Sequence, residues 1–206
     1  MNRGTVFIYP LGENLYINLT NKCCNDCEFC LRRNGDGIKG STLWLEREPL
    51  AQEVIQLIKN TDIKFDEAVF CGYGESTYKL DEMLEIAEYL HLAGKKTRLN
   101  TNGLGSAINK KNIAPLLKGR MDVVSISLNE SSAERYDKIC HSIFGIEAYE
   151  MIADFAAECV KEGIETYLTV VDVIPEKEIE KCREIARKIG AKLRVRKHIK
   201  DNESYT

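Results

Sequence analysis

Three closely spaced cysteines carry the clearest chemistry in this sequence. Cys23, Cys27 and Cys30 stand at a C-x3-C-x2-C spacing, and the aromatic Phe29 comes just before the last of them. Three thiolates this close together can hold three irons of a cubane iron–sulfur cluster and leave the fourth iron without a protein ligand. Such an iron can bind a small molecule, so the motif predicts chemistry rather than a purely structural metal.

Other interpretations of the cysteines remain open. A structural zinc ion takes four ligands, usually from two separated pairs, and the sequence offers no second Cys or Cys–His pair. Cys24 could replace Cys23 and give a C-x2-C-x2-C spacing. Cys71, just before a glycine-rich turn, is expected near the site without being an obvious ligand. The remaining cysteines fall at apolar positions of predicted helices and are expected to be buried: Cys140, Cys159 and Cys182.

Length and composition indicate one globular domain with a real core. The chain has 206 residues, of which 44% are hydrophobic and 30% charged. A net charge of −3 gives no global electrostatic case for binding nucleic acid or an anionic membrane. We see neither a signal peptide nor an apolar run long enough to span a bilayer, so we expect a cytoplasmic protein. In a reducing compartment, clustered cysteines are more often metal ligands than disulfides.

Strands alternate with helices along the chain, which is typical of parallel βα units. Six such units, in a chain shorter than the roughly 250 residues of an eight-fold barrel, predict a single-domain partial (β/α)6 TIM-type barrel over residues 1–206. An open doubly wound sheet is the alternative. The predicted strands cover 14–19, 67–71, 96–100, 122–128, 165–171 and 192–198. The predicted helices cover 49–59, 81–93, 113–118, 133–140, 148–162 and 176–189.

The unusual residues cluster after the predicted strands. A long cysteine loop, at about 21–48, follows the first strand, and Gly72-Tyr73-Gly74-Glu75 follows the second. Thr101-Asn102-Gly103 follows the third strand and Asn129-Glu130 the fourth. Both candidate architectures place chemistry at the carboxyl ends of their strands. We therefore expect these four segments to form one site.

The cysteine motif resembles the signature of the radical S-adenosylmethionine (SAM) superfamily, C-x3-C-x-aromatic-C after the first strand. The resemblance implies that Cys23, Cys27 and Cys30 bind a [4Fe–4S] cluster whose open iron is chelated by SAM. It also implies reductive cleavage of SAM to a 5′-deoxyadenosyl radical, which abstracts hydrogen from a substrate. An external electron donor such as flavodoxin or ferredoxin is then required.

The same resemblance assigns cofactor-binding residues. Gly72, Tyr73, Gly74 and Glu75 stand where the superfamily has a Gly-Gly-Glu turn that meets the methionine end of SAM. Asn102 lies in a turn that resembles a cofactor-facing one, Ser127 and Asn129 stand where ribose-binding residues occur, and Phe29 would lie beside adenine. The sequence departs from the pattern where Tyr73 interrupts the double glycine and Asn129 stands where an acidic residue is frequent.

Three segments resemble the small radical SAM proteins associated with TatD-type hydrolases: 14–23, 43–49 and 71–77. That resemblance suggests a TatD-type partner but no defined reaction. Alternatives are a glycyl-radical activating enzyme, a 7-carboxy-7-deazaguanine synthase-like enzyme, or a non-catalytic iron–sulfur or zinc-binding partner of a TatD-type hydrolase. The substrate cannot be identified from the sequence.

Arg194, Arg196 and His198 alternate along the last predicted strand and therefore share a face. They could form a cationic wall for a substrate carboxylate or phosphate. They could also protect an exposed sheet edge from pairing with another chain. The sequence alone favours the edge-protection interpretation.

Overall fold

One continuous sheet of seven strands organises the computed structural model, which describes residues 6–34 and 42–197. The strands lie side by side in chain order. Strands β2 to β7 are parallel, whereas β1 pairs antiparallel with β2. Their bounds are Ile8–Leu11 (β1), Asn14–Ile17 (β2), Glu67–Phe70 (β3), Lys96–Thr101 (β4), Val123–Ser127 (β5), Glu165–Val171 (β6) and Lys192–Arg196 (β7).

The six parallel strands, in one open sheet with helices between them, confirm the predicted fold class of a partial barrel. The antiparallel strand β1 was not predicted. Pro10 in its middle weakens the strand signal, because proline cannot donate a ladder hydrogen bond, and it is tolerated here since β1 lies at the edge of the sheet. Gly12, with φ of 59°, allows the tight turn into β2. His198 lies outside the described residues.

The helices α1 to α7 alternate with the parallel strands. The short helix α3 was not predicted, whereas α5 and α7 have the predicted bounds. The bounds are Ala51–Lys59 (α1), Leu80–Leu92 (α2), Gly105–Asn109 (α3), Ala114–Leu117 (α4), Ala133–Cys140 (α5), Ala148–Lys161 (α6) and Glu176–Ile189 (α7). No helix of the described part of the chain has the length and apolarity needed to cross a membrane.

The two faces of the sheet differ sharply in polarity because side chains alternate along each strand. Apolar residues of one face pack in the main core with the helices, and they include Leu15, Phe70, Leu99, Ile126 and Leu168, all fully buried. The opposite face carries polar side chains at the alternate positions, among them Tyr16, Arg98, Asn100, Ser125 and Tyr167. A closed TIM barrel fills its interior with bulky branched side chains. The polar face is therefore suited to bind a ligand.

Candidate cofactor site

The cysteine motif lies on the connection between β2 and α1, at the carboxyl end of the sheet. Cys23, Cys27 and Cys30 are all partly exposed, whereas Cys24 is 1% exposed and packs in the core. The Cys30 amide donates to the Cys27 carbonyl at 3.1 Å, which closes a tight turn between these two cysteines. The difference in burial favours Cys23 over Cys24 as the first member of the motif.

Helix α5 supports the cysteine loop through backbone hydrogen bonds. The Asp26 and Glu28 amides donate to the Cys140 and Ile139 carbonyls, both at 3.0 Å. These carbonyls belong to the last turn of α5, where the helix leaves acceptors unpaired. Within the loop, Arg32 donates to the Asn25 carbonyl at 3.2 Å. Helix α5 and Arg32 thus hold the segment that carries the three cysteines.

The Gly72–Glu75 turn packs directly against the end of β2 and the start of the cysteine loop. A Cβ on Gly74 would stand 2.3 Å from the Thr20 carbonyl oxygen, and one on Gly72 would stand 2.0 Å from Asn18 Oδ1. The Glu75 amide donates to the Lys22 carbonyl at 2.8 Å. Glycine is required at both positions because the turn packs this closely against the neighbouring segment.

Glu75 is buried, and its carboxylate joins the turns after β3 and β4. Its Oε1 accepts from the Thr77 amide (3.2 Å), the Thr77 hydroxyl (2.9 Å) and the Thr101 hydroxyl (2.8 Å). Its Oε2 accepts from the Asn102 amide at 2.7 Å, which leaves a lone pair on this oxygen. Burial raises the pKa of Glu75, and these hydrogen bonds oppose the shift.

Asn102 connects this carboxylate to the cysteines. Its backbone amide donates to Glu75, and its side-chain Nδ2 lies 3.2 Å from Cys24 Sγ and 3.8 Å from Cys23 Sγ. Its Oδ1 accepts from the Leu104 amide at 3.0 Å, which fixes the orientation of the side chain. The three segments that follow β2, β3 and β4 therefore form one hydrogen-bonded unit.

Ser127 and Asn129 come next along the same edge, at the end of β5. Ser127 is partly exposed. Asn129 is 5% exposed and has a left-handed backbone, with φ of 62°. Its Nδ2 lies 3.5 Å from Cys140 Sγ, and its buried Oδ1 has no hydrogen-bond partner among the described residues. A strained residue with an unsatisfied oxygen is a feature common at ligand sites.

The two aromatic candidates differ in their surroundings. Phe29 is partly buried and packs against the main core beside the cysteine loop. Tyr73 is 5% exposed and lies in a small apolar cluster with Tyr9, Leu11 and Leu43. Its ring contacts Trp44 edge-on, with the ring centroids 5.2 Å apart. Tyr73 thus packs against the β1 hairpin, whereas the glycines beside it contact the end of β2 and the loop that follows.

The donor set fits an iron–sulfur cluster. A hydrogen bond from the Cys24 thiol is the main cause that lowers the pKa of Cys23 to about 7, and the thiolate is the metal-binding form. The pKa of Cys27 is raised, mainly by a contact with the Cys140 thiol and by burial. Within 6–34 and 42–197, no three Cys, His, Asp or Glu residues are grouped to share a single ion. In a four-iron cluster held by three cysteines, each thiolate binds a different iron, so the cysteines need not share one ion.

Three residues at this site were not among the predicted ligands. Thr77 and Thr101 hold the Glu75 carboxylate, and Cys140 contacts both Cys27 and Asn129. Thr101 could have been suspected from its place in the Thr-Asn-Gly turn. Cys140 was predicted only as a buried core residue, which it is. Cys140 lies beside Cys27 although the two residues are 113 positions apart in the sequence, so the spacing of the cysteines could not predict this contact.

Comparisons with known proteins give one family match and several similar folds. The Radical SAM superfamily model matches residues 17–189. The fold is similar to TYW1 with a lysine-pyruvate adduct bound (TM-score 0.65, 15% identity, 94% of this chain and 67% of that one). It is also similar to Streptococcus suis SuiB bound to S-adenosylmethionine (0.71, 13%, 92% and 41%) and to native anSMEcpe with bound AdoMet (0.65, 15%, 92% and 52%). This chain thus spans between 41% and 67% of the length of these proteins. No curated protein sequence matches it.

Proposed function

We propose a specific cofactor arrangement on the premise that this chain belongs to the radical SAM superfamily. Membership implies an enzyme that uses a [4Fe–4S] cluster and SAM. Our proposal is that Cys23, Cys27 and Cys30 hold the cluster and that the chain cleaves SAM reductively. When bound, the reduced cluster supplies the electron that yields a 5′-deoxyadenosyl radical for hydrogen abstraction.

The observation that carries the proposal is the hydrogen-bonded unit formed by the cysteine loop, Glu75 and Asn102. Asn102 donates from its backbone to the carboxylate and from its side chain toward Cys23 and Cys24. Hydrogen bonds to the sulfurs are one means by which proteins set the potential of iron–sulfur clusters. The same residues therefore position the thiolates and the carboxylate that would face the amino group of SAM.

The other residues would hold the remaining parts of SAM. The free lone pair of Glu75 Oε2 suits an ammonium donor, because a carboxylate forms strong charge-assisted hydrogen bonds. Ser127 and the unsatisfied Oδ1 of Asn129 suit the ribose hydroxyls. Phe29 would pack beside adenine. Gly72 and Gly74 allow the turn to reach the site, and Tyr73 supports that turn from the small apolar cluster.

The partners remain part of the proposal. The cluster needs an electron from a donor such as flavodoxin or ferredoxin, and the hydrogen atom comes from an unidentified substrate. A TatD-type partner is supported only by the three sequence segments that resemble TatD-associated proteins. We expect the protein to work in the cytoplasm.

The test is an anaerobic assay of the reconstituted, reduced chain with SAM, in which 5′-deoxyadenosine is measured by mass spectrometry. Electron paramagnetic resonance (EPR) of the cluster with and without SAM is recorded in parallel. Cys27→Ala should abolish both the product and the cluster signal. Cys159→Ala, which removes a fully buried thiol in α6, is the matched control and should keep both. A four-iron cluster that forms without Cys27 would contradict the assignment.

A further inference from the structure

The polar face of the sheet contains more cationic than anionic groups. Among its charged residues, Arg98 pairs with Glu67, and Lys192 pairs with Glu165 at 2.7 Å. The ion pairs formed within 6–34 and 42–197 include neither Arg194 nor Arg196, and Lys96 on the same face is not in one of them either. The face therefore has a net positive charge, although the Arg194 charge also acts on Glu165 and helps to lower its pKa. A guanidinium binds carboxylates and phosphates through paired N–H donors.

Arg194 is directed over the sheet, and Arg196, two positions later and exposed, belongs to the same face of β7. The Arg194 guanidinium stacks over the ring of Tyr167 on the neighbouring strand, 4.3 Å from the ring centroid. Thr169 is the pairing partner of Arg194 in β6, and Ser127 is the pairing partner of Thr169 in β5. Arg194 therefore lies in the same row of side chains as Ser127, one of the proposed SAM-binding residues.

Arg196 influences groups at the other side of the open barrel. Burial is the main cause that raises the pKa of Tyr16 on β2 and of Cys71 after β3, and the Arg196 charge opposes both shifts. Strand β7 is five positions from β2, which would be about 24 Å in a flat sheet at roughly 4.8 Å per strand. The open sheet curls, which shortens that distance. Alternation along β7 places Arg196 on the same polar face as Arg194, where it pairs in register with Val171 of β6.

Arg98 supplies a second, independent indication of a ligand on this face. Its Nε is buried and has no hydrogen-bond partner among the described residues, although its terminal nitrogen pairs with Glu67. A buried charged donor without a partner is costly, and such groups are uncommon in native structures unless a ligand or water completes them. Arg98 also acts on Tyr16 and Cys71, the same two groups that Arg196 influences.

We propose that the concave face of the sheet binds a small-molecule substrate through a carboxylate or phosphate group held by Arg194 and Arg196. This inference rests on the proposed function, since it places the substrate beside the site that would hold SAM. It makes Arg194 and Arg196 specificity-determining residues. For Arg194 it also replaces the edge-protection interpretation, because this guanidinium lies over the ring of Tyr167 on the face of the sheet.

The test measures anion binding to the reconstituted full chain with SAM present, by isothermal titration calorimetry. Phenyl phosphate and benzoate are the probes, since they share a ring and differ in the anion, and benzyl alcohol is the uncharged control. The variant is Arg194→Gln with Arg196→Gln. Its matched control is Arg183→Gln with Arg187→Gln, which removes two exposed arginines from α7 on the helical side of the sheet.

We expect at least one anion to bind at millimolar concentration and benzyl alcohol not to bind. The Arg194/Arg196 variant should bind the anion about 10-fold or more weakly, which is the loss expected when charge-assisted hydrogen bonds are removed. The control variant should bind the anion as the wild type does. Stronger binding of one probe identifies the group as phosphate or carboxylate. Absence of anion binding to the wild type, equal binding by both double variants, or binding of benzyl alcohol as tight as that of the anions would overturn the inference.

The EPR change induced by SAM separates this inference from the proposed function. We expect both double variants to keep the SAM-induced change, because neither alters a residue assigned to the cluster or to SAM. If SAM changes the wild-type spectrum but the arginines make no difference to anion binding, only the substrate class is wrong. If SAM leaves the spectrum unchanged, the proposed function fails, whatever the calorimetry gives.

Discussion

Glu75→Gln tests whether the buried carboxylate joins the turns of the site as an ionised acceptor. Its oxygens accept four hydrogen bonds from Thr77, Thr101 and Asn102. In the variant, the oxygen of the new side-chain amide can accept from the three donors that Oε1 accepts from in the wild type. The NH2 group of the amide then faces the backbone N–H of Asn102. One hydrogen bond is lost and two donors are brought together.

The size of the effect follows from the strength of hydrogen bonds to charged groups. Such a bond contributes about 1.5–3 kcal/mol, against about 0.5–1.5 kcal/mol for a neutral acceptor. Loss of one bond and weakening of three is partly offset because the variant no longer buries a charge, and we expect a net loss of about 2–3 kcal/mol. For a domain of this size, that corresponds to a fall in Tm of roughly 4–12 °C.

The measurement is thermal and urea unfolding of the metal-free chain under reducing conditions, so that no cofactor contributes. Thr77→Val is the companion variant, and loss of its single hydroxyl bond should cost about 1–2 kcal/mol. A Glu75→Gln variant within about 0.5 kcal/mol of the wild type would refute the reasoning. Burial would then have kept the carboxyl group protonated, in which case the amide replaces it at little cost.

Three further predictions concern other parts of the site and its support. Gly74→Ala would place a Cβ 2.3 Å from the Thr20 carbonyl oxygen. It should therefore destabilise the fold by about 1–3 kcal/mol and reduce the iron content after reconstitution. Urea unfolding unchanged from the wild type would contradict this prediction. Cys24→Ala should keep the iron content and four-iron EPR signal that Cys23→Ala loses, and the reverse result would establish the C-x2-C-x2-C alternative. The pKa of Glu53 should be about 2 by NMR titration, mainly because Arg47 donates hydrogen bonds to its carboxylate. The stabilising effect of this pair is complete above pH 4.5, the ordinary pKa of a glutamate, and is lost as the pH falls toward 2. Arg47→Gln should return the pKa of Glu53 toward 4.5.

Much of the fold could be predicted because strands and helices differ in the period of their apolar residues. Helix α7, at Glu176–Ile189, and strand β6, at Glu165–Val171, have the predicted bounds. Strand β1 was missed because a four-residue edge strand that contains proline has almost no local signal. Helix α3 was missed because five residues are too few to show a period.

The candidate site could be located from sequence because parallel strands bring their carboxyl ends to one edge. That rule places Cys23, Glu75, Asn102 and Asn129 along the same edge without any knowledge of contacts. The roles of their hydrogen bonds could not be predicted in this way. Glu75 was expected to meet a ligand ammonium, and the structure adds that most of its acceptor capacity binds Thr77, Thr101 and Asn102.

The sequence by itself determined the chemistry available, because the spacing of Cys23, Cys27 and Cys30 is a local property of the chain. It also determined the order of the six parallel strands and of the helices predicted between them, since each of these is encoded by a local pattern. Only the tertiary structure decided that Cys140 lies beside Cys27 and that Asn25 donates to the Tyr136 hydroxyl. Both relations join residues more than 100 positions apart, and they depend on the packing of α5 against the cysteine segment, which no local pattern specifies.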